Sequence, residues 1–205
     1  MAIANPIQVD NNVAVVIDEW YDKEEYAATL EECKFLINYG RDPSESGSAT
    51  DANGGFLKNN KAVFVREFFF NYNDSVIFKA REKLYSIIDF LISTDPIYNY
   101  LRDTDCESLL VSYYEDSSYY KPHSDKAVFT TLTWLYDEPK AFSGGNLILR
   151  DQNDNVVQEI ECISNRAVIF PSFISHEVTN VIMDKEDMGK KKGRFTVTQF
   201  SGLQL

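Results

Sequence analysis

Seven short runs of strand-forming residues, separated by turns, occupy residues 107–199 and constrain the fold more than any other feature. They read SLLVSYY, VFTTLTWLY, NLILR, NVVQEIE, RAVIF, HEVTNVI and RFTVTQF. Many short strands at close spacing are typical of a sandwich, a jelly roll or a barrel. The sequence therefore predicts that this part of the chain is all-β.

The N-terminal part has a different sequence pattern, because helical and strand periodicities alternate along it. The predicted elements are a strand over residues 13–17, a helix from about 22 to 39, a strand over 61–70 and a helix from about 74 to 92. With 205 residues the chain has the length of one ordinary domain. We predict a single domain over residues 1–205, in which residues 1–106 support an all-β core over residues 107–205.

Residues 41–60 read RDPSESGSATDANGGFLKNN and have no helical or strand periodicity. Their Gly, Ser, Asn and Asp content predicts a long mobile loop. Long loops without regular structure are often functional, and the pair Gly54 and Gly55 could serve as a hinge. Two interpretations remain open, a surface insertion and a lid over a site. The lysine-rich segment 183–193 is predicted to be an exposed hairpin loop.

Acidic residues outnumber basic ones, 32 to 20, which gives a net charge of −12. Affinity for nucleic acid depends on basic groups that neutralise phosphates, so this charge argues against nucleic acid as the main partner. No apolar run approaches the roughly 20 residues that span a bilayer, and we recognise no signal peptide. The odd cysteine count, 3, suits a reducing compartment. We expect a cytoplasmic protein without a membrane partner.

The chain has only two histidines, and one of them lies in the sequence YKPHSDKA. On an extended chain, His123 and Asp125 are two residues apart and share one face. His176 follows much later, where a returning strand could bring it back. Two histidines and one carboxylate that leave open positions on a metal are the signature of non-haem Fe(II) oxygenases. His-x-Asp alone is a weak signal, because it arises easily by chance.

The last run, RFTVTQF, allows two orientations under a period of two. Either Phe195 and Val197 face the core and Arg194 faces water, or Arg194 and Thr196 face into the closed β fold and hold an anion. Arginine suits the second role because its planar guanidinium binds a carboxylate bidentately.

Five motifs follow one another in the all-β part. They are the Tyr-rich stretch YYEDSSYYKPHSD with Tyr114, Tyr120, His123 and Asp125, the strand TTLTWLY, the pair Gly144 and Gly145, the turn PSFISH, and Arg194 followed by Thr196. In this order they resemble the 2-oxoglutarate- and Fe(II)-dependent oxygenases, specifically the prolyl 4-hydroxylase-like branch, over roughly residues 107–201. Two positions depart from the family. Ser117 stands where a turn glycine is usual, and the long spacing from His176 to Arg194 makes Lys190, Lys191 and Lys192 rival anchors.

The resemblance implies a mainly β fold with N-terminal helices, namely a double-stranded β-helix (jelly roll) with helices packed on the major sheet. The implied reaction is a hydroxylation coupled to decarboxylation of 2-oxoglutarate to succinate. L-ascorbic acid is a further cofactor that the resemblance raises. The residues implied are His123, Asp125 and His176 for Fe(II), and Arg194, Thr196 and Tyr114 for 2-oxoglutarate.

The resemblance also points to proline in peptides or proteins as the substrate. Tyr120 and Trp134 are the aromatic residues predicted to contact it, because aromatic-lined grooves suit extended Pro-rich peptides. One alternative is a hydroxylase of a free amino acid or another small molecule. A second, from a different class, is a cupin-like metal-binding module without oxygenase activity, which would need no inward arginine. A nucleic-acid demethylase is disfavoured by the acidic charge.

Overall fold

The predicted strand runs form most of a two-sheet structure, seen in a computed structural model that describes residues 4–46 and 50–203. The strands are β1 Ala4–Val9, β2 Asn12–Ile17, β3 Lys58–Asn59, β4 Lys61–Phe64, β5 Cys106–Tyr114, β6 Tyr119–His123, β7 Phe129–Leu135, β8 Phe142–Gly144, β9 Leu147–Arg150, β10 Val156–Ile160, β11 Ala167–Pro171, β12 His176–Val178, β13 Val181–Met183 and β14 Arg194–Gly202. The α-helices are α1 Lys23–Leu36, α2 Ala80–Ser86 and α3 Ile88–Thr94. Short 3-10 segments lie at Ile37–Tyr39, Val65–Glu67, Tyr72–Asp74, Ile77–Lys79 and Pro96–Asp103.

Antiparallel pairing assembles these strands into a major and a minor sheet. The major sheet has the order β1-β2-β11-β7-β14-β5-β4, and the minor sheet the order β10-β9-β12-β6-β3. A two-stranded ribbon of β13 and β8 closes one side. Most neighbours, such as β7 and β14 or β6 and β12, come from distant parts of the chain, as in a jelly roll. The predicted mainly β, double-stranded β-helix fold is confirmed.

Each face of the major sheet covers a different apolar layer. On the outer face, helix residues such as Leu30, Leu84 and Leu91 pack with Phe195 and Val197 of β14. On the inner face, a second layer fills the space between the two sheets, and its largest members are the fully buried Trp134 of β7 and Phe170 of β11. The predicted packing of helices on the major sheet is therefore correct, and the inner layer surrounds the site described below.

Helix α1 begins where the sequence predicts it. The Asp22 carboxylate accepts hydrogen bonds from the backbone N–H groups of Glu24 and Glu25, and the Glu25 carboxylate accepts one from the N–H of Asp22. This reciprocal capping box satisfies N–H groups that have no partner inside the helix.

Other boundaries differ from the prediction. The helix predicted over 74–92 is wrong as one element, because a break at Ile87 separates a 3-10 turn and α2 from α3. Ile87 has φ −110° and ψ 10°, and the adjacent β-branched pair of Ile87 and Ile88 favours helix weakly. The strand predicted over 61–70 ends at Phe64, where a 3-10 turn replaces it. Strands β1, β6 and β8 were not among the predicted runs, and HEVTNVI divides into β12 and β13.

The described part of the 41–60 loop carries more backbone pairing than its composition predicts. Arg41 and Ala62 exchange two backbone hydrogen bonds, and the Asp51 N–H donates to the Gly55 carbonyl to close a tight turn. Strand β3 then adds to the edge of β6, with Lys58 opposite Tyr120. The structure therefore fastens the end of this segment to the strand that carries His123, and residues 47–49 lie outside the described part.

The lysine-rich segment is not a hairpin loop, because its flanking strands do not pair. Strand β13 pairs with β8, whereas β14 pairs with β5 and β7. The segment therefore crosses from the two-stranded ribbon to the major sheet. Within residues 4–46 and 50–203, no helix is long and apolar enough to cross a membrane.

Candidate active site

Strand pairing in the minor sheet brings the two histidines together. His176 of β12 lies directly opposite His123 of β6 in the antiparallel ladder, and their ring centroids are 4.3 Å apart. Asp125 lies just beyond β6, with its carboxylate oxygens 3.7 Å from His123 Nε2 and 3.5 Å from His176 Nε2. One ligand atom from each residue lies within 4.8 Å of the others, so the three side chains can hold one metal ion.

Hydrogen bonds to other groups orient these three side chains. His123 Nδ1 donates to the Lys121 carbonyl at 2.8 Å, and His176 Nδ1 donates to the Ile174 carbonyl at 2.9 Å. Both histidines therefore present Nε2 to the centre of the cluster. Such contacts behind metal ligands fix the tautomer and the ring orientation.

The carboxylate of the cluster is held in the same way. Thr130 Oγ1 donates to Asp125 Oδ2 at 2.7 Å and also contacts Ser172 Oγ at 2.8 Å. The Asp125 N–H donates to the Ser172 carbonyl. Asp125 is thus fixed by β7 and by the turn after β11, although it is not itself in a strand.

His123 is held in the neutral form that a metal requires. Burial lowers the pKa of His123 to about 3, and the neighbouring His176 adds to this shift. A charged imidazole loses its hydration in such a place, so the neutral ring is favoured. His123 and His176 side chains are only 6% and 4% exposed, so the cluster is shielded from bulk water.

The cluster opens into a cavity of about 70 Å³ between the two sheets. Apolar side chains form much of the wall, among them Leu132, Val178 and Phe200. The polar side chains that line it are Lys58, Ser112, Tyr114, Tyr120, His123, Asp125, His176, Arg194, Thr196 and Thr198. Larger clefts occur elsewhere on the molecule, but this cavity holds the residues that the sequence singled out.

Arg194 faces into the closed β fold, as the second of the two sequence interpretations requires. Its side chain is fully buried in the cavity wall, and its guanidinium carbon lies 4.6 Å from the ring centre of Tyr114 and 5.4 Å from that of Trp134. Phe195 and Val197 occupy the opposite face, in the layer beneath the helices. Alternate residues of β14 therefore face two different environments, the cavity on one side and the apolar layer beneath the helices on the other.

The Arg194 guanidinium has no carboxylate partner among the described residues. Its Nε, Nη1 and Nη2 atoms, like Oγ1 of Thr196, make no well-formed hydrogen bond there, and the Tyr114 hydroxyl and the Cys162 thiol are only near neighbours of the guanidinium. A buried charge without a partner costs several kcal/mol, so the arrangement calls for an anion. A carboxylate matches the guanidinium in shape and charge.

Glycine at position 145 leaves room for this arginine, and glycine at position 193 leaves room for the neighbouring strand β5. Gly145 has φ +69°, and a Cβ there would lie 2.9 Å from Cδ of Arg194. A Cβ on Gly193 would lie 2.2 Å from the carbonyl oxygen of Tyr114. In the Gly144–Gly145 motif, the second residue must therefore be glycine, because a side chain there would collide with Arg194.

Tyr114 lies opposite Arg194 in the β5–β14 ladder and lines the cavity. Burial raises the pKa of Tyr114, while the Arg194 guanidinium and the Asn60 side chain lower it. Tyr114 therefore remains a neutral hydroxyl at physiological pH and can donate a hydrogen bond.

The two predicted substrate residues take different positions. Tyr120 lines the cavity and stacks on the His123 ring, with centroids 3.5 Å apart. Trp134 is fully buried against Arg194 and is not part of the cavity lining. This placement does not fit a substrate contact for Trp134. It fits a side chain that packs behind Arg194 and supports its position.

The rival lysine anchors lie elsewhere. Lys191 Nζ donates to the Lys34 carbonyl, and Lys192 pairs with Asp187 at 2.6 Å. Neither these two nor Lys190 lines the cavity. The long spacing before Arg194 is explained by the crossover segment.

Lys58 and Asn60 contribute to the site without having been predicted. Both are buried, at 8% and 5% exposure, and both come from the end of the 41–60 segment. Their spacing of two residues places them on one side of β3 and its extension. No local pattern in the sequence indicates this placement, because the run KNN reads as part of a loop.

The donor set fits a non-haem iron and 2-oxoglutarate. Two imidazoles and one carboxylate are the ligand types of facial-triad Fe(II) sites, and they leave positions open for other ligands. Arg194, which has no carboxylate partner and has Thr196 beside it, fits the distal carboxylate of 2-oxoglutarate.

Comparison with known proteins agrees with this geometry. Residues 109–201 match the family model of the 2OG-Fe(II) oxygenase superfamily. Over 104 residues the chain is 33% identical to an uncharacterized PKHD-type hydroxylase of Synechocystis sp., a match that covers 43% of this chain and 34% of that protein. The chain thus spans about a third of the length of this curated relative.

Solved structures share the fold across nearly the whole chain. A Pseudomonas putida prolyl-4-hydroxylase aligns with a TM-score of 0.62 and 12% identity, over 94% of this chain and 93% of that one. A Trichoplax adhaerens prolyl hydroxylase, in complex with a hypoxia inducible factor peptide fragment, aligns with a TM-score of 0.61 and 17% identity, over 92% and 83%. The family match therefore confirms the resemblance to the 2-oxoglutarate- and Fe(II)-dependent oxygenases over residues 109–201, and the solved structures confirm the fold.

Proposed function

We propose that this chain, whose residues 109–201 form a 2-oxoglutarate-dependent dioxygenase domain of the 2OG-Fe(II) superfamily, hydroxylates proline in peptides or proteins. One observation carries the proposal: the buried Arg194, which has no carboxylate partner, shares one cavity with the cluster of His123, Asp125 and His176. A metal site alone does not explain that arginine. A metal site that also binds a dicarboxylic cosubstrate does.

His123 and His176 would hold the iron through Nε2, and Asp125 through its carboxylate. When bound, the iron supplies the activation of dioxygen and the oxidation of the substrate C–H bond, which no side chain can perform. The residues behind the ligands, above all Thr130, keep the carboxylate turned toward the cluster. A preformed ligand set of this kind loses little entropy when the metal binds.

Arg194 would bind the distal carboxylate of 2-oxoglutarate, Thr196 would donate a hydrogen bond from Oγ1, and Tyr114 would donate one from its hydroxyl. All three side chains line the part of the cavity wall that β5 and β14 form. The apolar residues of the wall exclude water, which strengthens these charge-assisted bonds. Decarboxylation of the bound 2-oxoglutarate to succinate would then accompany substrate hydroxylation.

Proline is the substrate that we propose, because the two solved enzymes described above are named as prolyl hydroxylases. Tyr120 supports this assignment, since its ring lines the cavity beside His123 and could pack on a pyrrolidine ring. The alternative of a free amino acid stays open for the same cavity. The cupin-like module loses its main support, because it requires no inward arginine.

We also propose that the 41–60 segment covers the substrate. Its described end is fastened to β6 by the pairing of β3, and the Lys121 N–H donates to the Leu57 carbonyl at 2.7 Å. Closure would then involve the described residues 50–56, which precede this attachment. A segment attached on one side of a site can close over it and exclude water.

A coupled succinate assay tests the function. The enzyme is supplied with Fe(II) and 2-oxoglutarate, with and without ascorbate, and with a panel of proline-containing peptides and free amino acids. We expect succinate and hydroxyproline in equal amounts with at least one peptide, and ascorbate dependence would extend the cofactor assignment. Succinate formation with free amino acids alone would favour the small-molecule alternative, and no 2-oxoglutarate consumption with any substrate would contradict the proposal.

A further inference from the structure

One further cation lines the cavity beyond the residues assigned above to iron and 2-oxoglutarate. Lys58 of β3 lies directly opposite Tyr120 in the β3–β6 ladder, so its side chain reaches the cavity from the metal end. Its Nζ atom lies 5.6 Å from the centre of the Tyr120 ring, and the residue is only 8% exposed.

The ammonium of Lys58 has no anionic partner among the described residues. Among the side chains that the structure describes, no carboxylate lies within ion-pair distance of Nζ, and its contact with the Tyr120 ring is a cation–π interaction. Burial lowers the pKa of Lys58, and the negative charge of Asp125 opposes that shift. Asp125 is engaged by Thr130 and is the carboxylate of the metal cluster, so it does not serve as a dedicated partner.

The net charge of the cavity also favours a negatively charged ligand near Lys58. Two cationic side chains, Lys58 and Arg194, line it against the single carboxylate of Asp125. The charge of a divalent metal ion and the two carboxylates of 2-oxoglutarate cancel each other. One positive charge therefore remains near Tyr120, in a protein whose net charge is −12. An excess charge of this kind favours a ligand of opposite sign.

We propose that Lys58 determines substrate specificity by binding a carboxylate of the substrate close to the carbon that is hydroxylated. This inference rests on the proposed function and names the substrate class, which is a proline compound with an adjacent carboxylate. The carboxylate comes either from an acidic residue next to proline in a peptide or from the α-carboxylate of free proline. Both present the same group to the ammonium.

Matched ligand pairs test the proposal. Each pair differs only by carboxylate against amide: Glu-Pro against Gln-Pro peptides, Pro-Glu against Pro-Gln peptides, and L-proline against L-prolinamide. Dissociation constants are measured by calorimetry on enzyme loaded with Mn(II) and 2-oxoglutarate, and kcat/KM is measured on the iron enzyme. We expect the wild type to prefer the carboxylate member of at least one pair by about tenfold or more, the size of a charge-assisted contact. The pair that shows the preference identifies the source of the carboxylate.

Three variants locate the cause. Lys58→Met keeps the length and apolar stem of the side chain and should abolish the preference, whereas Lys58→Arg should retain much of it. Lys121→Met removes an equal charge from an exposed position on the neighbouring strand β6 and should leave the preference intact. Melting temperatures with and without ligand confirm that each variant is folded.

Two results would overturn the inference. Lys58→Met could keep the carboxylate preference, or it could weaken binding of Mn(II) or 2-oxoglutarate while substrate discrimination stays unchanged. Wild-type enzyme that consumes 2-oxoglutarate but binds both members of every pair equally would defeat this inference alone. Wild-type enzyme that consumes no 2-oxoglutarate would defeat the proposed function as well.

Discussion

The two ends of the cavity differ in how their polar groups are satisfied. At the metal end, the Nδ1 atoms of His123 and His176 donate to backbone carbonyls, and Asp125 accepts from Thr130. At the anchor end, the side chains of Arg194 and Thr196 are buried without a well-formed hydrogen bond among the described residues. The protein therefore preforms the metal end by itself, whereas a ligand completes the anchor end. Changes at the two ends should have separable consequences.

The largest effect is expected from loss of a metal ligand. His123→Ala or His176→Ala should reduce iron-dependent succinate formation to below detection, because two ligands cannot hold the ion in place of three. Metal content by mass spectrometry should fall with activity, while circular dichroism stays that of the wild type. Turnover in both variants would show that the metal end is wrongly assigned.

Loss of the Arg194 guanidinium should weaken the binding of 2-oxoglutarate without destabilising the folded protein. Arg194→Met should raise the KM for 2-oxoglutarate on the order of 100-fold, because a charge-assisted bidentate contact is lost. Without 2-oxoglutarate, its melting temperature should equal or exceed that of the wild type, since a buried unpaired charge has been removed.

The crossover lysines provide the control for the anchor. Replacing Lys190, Lys191 and Lys192 together by alanine should leave the KM nearly unchanged, because none of them lines the cavity. The opposite pattern, with the triple variant impaired and Arg194→Met active, would move the anchor out of the cavity.

The residue behind Asp125 should have an intermediate effect confined to the metal end. Thr130→Val keeps the side-chain shape but removes the hydrogen bond to Asp125 Oδ2. Metal affinity should fall about 10–100-fold, the usual range for groups behind metal ligands. Titration of the apoenzyme with Mn(II) measures this, and an equal loss of 2-oxoglutarate affinity in the metal-saturated variant would contradict the separation of the two ends.

The burial of His123 makes the metal-free protein sensitive to acid. Its pKa is lowered to about 3 in the folded chain, from an ordinary value of 6.5. Between these values the unfolded chain binds a proton that the folded chain does not, so the stability contribution is complete above about pH 6.5 and declines below it. The free energy of unfolding should fall by about 1.4 kcal/mol for each pH unit below about 6.5, which gives about 1.4 kcal/mol in total between pH 7.5 and 5.5. Urea unfolding with a chelator at pH 7.5 and 5.5 measures the slope, and His123→Gln should reduce it. An unchanged slope in the variant would show that His123 is not the group responsible.

The smallest effect concerns the turn between Tyr114 at the anchor end and β6 at the metal end. Ser117 has φ +63°, a left-handed conformation that glycine adopts without strain. Ser117→Gly should leave both ends intact and change stability by less than about 1 kcal/mol, in the stabilising direction, because the relief of strain exceeds the added flexibility of the unfolded chain. A measurable loss of stability would mean that the Ser117 hydroxyl, which donates to Asp116, matters more than the backbone conformation.

Much of the fold and site followed from local patterns in the sequence. The alternation of Arg194 and Phe195 predicted two faces of one strand, and both faces proved to be buried. The Ser117 position, unusual for the family, keeps the backbone conformation that glycine would supply. These features depend on spacing and on backbone geometry, which a sequence expresses directly.

Other features depend on pairing between distant parts of the chain. Lys58 reaches the cavity only because β3 adds to the edge of β6, and nothing in the loop composition indicates that pairing. Trp134 looked like a substrate contact because it is aromatic and near the site, but its depth beneath Arg194 is set by the packing of the two sheets. The break at Ile87 likewise has no proline or glycine to announce it.

Binding of 2-oxoglutarate and of 2-oxopentanoate tests the central claim most directly. The two compounds have the same carbon chain and the same metal-binding 2-oxo acid group, but only 2-oxoglutarate has a distal carboxylate. On Mn(II)-loaded wild type, we predict that 2-oxoglutarate binds on the order of 100-fold more tightly, from its charge-assisted contact with Arg194. On Arg194→Met the two should bind about equally. Equal binding by the wild type, or a full preference retained by Arg194→Met, would contradict the account.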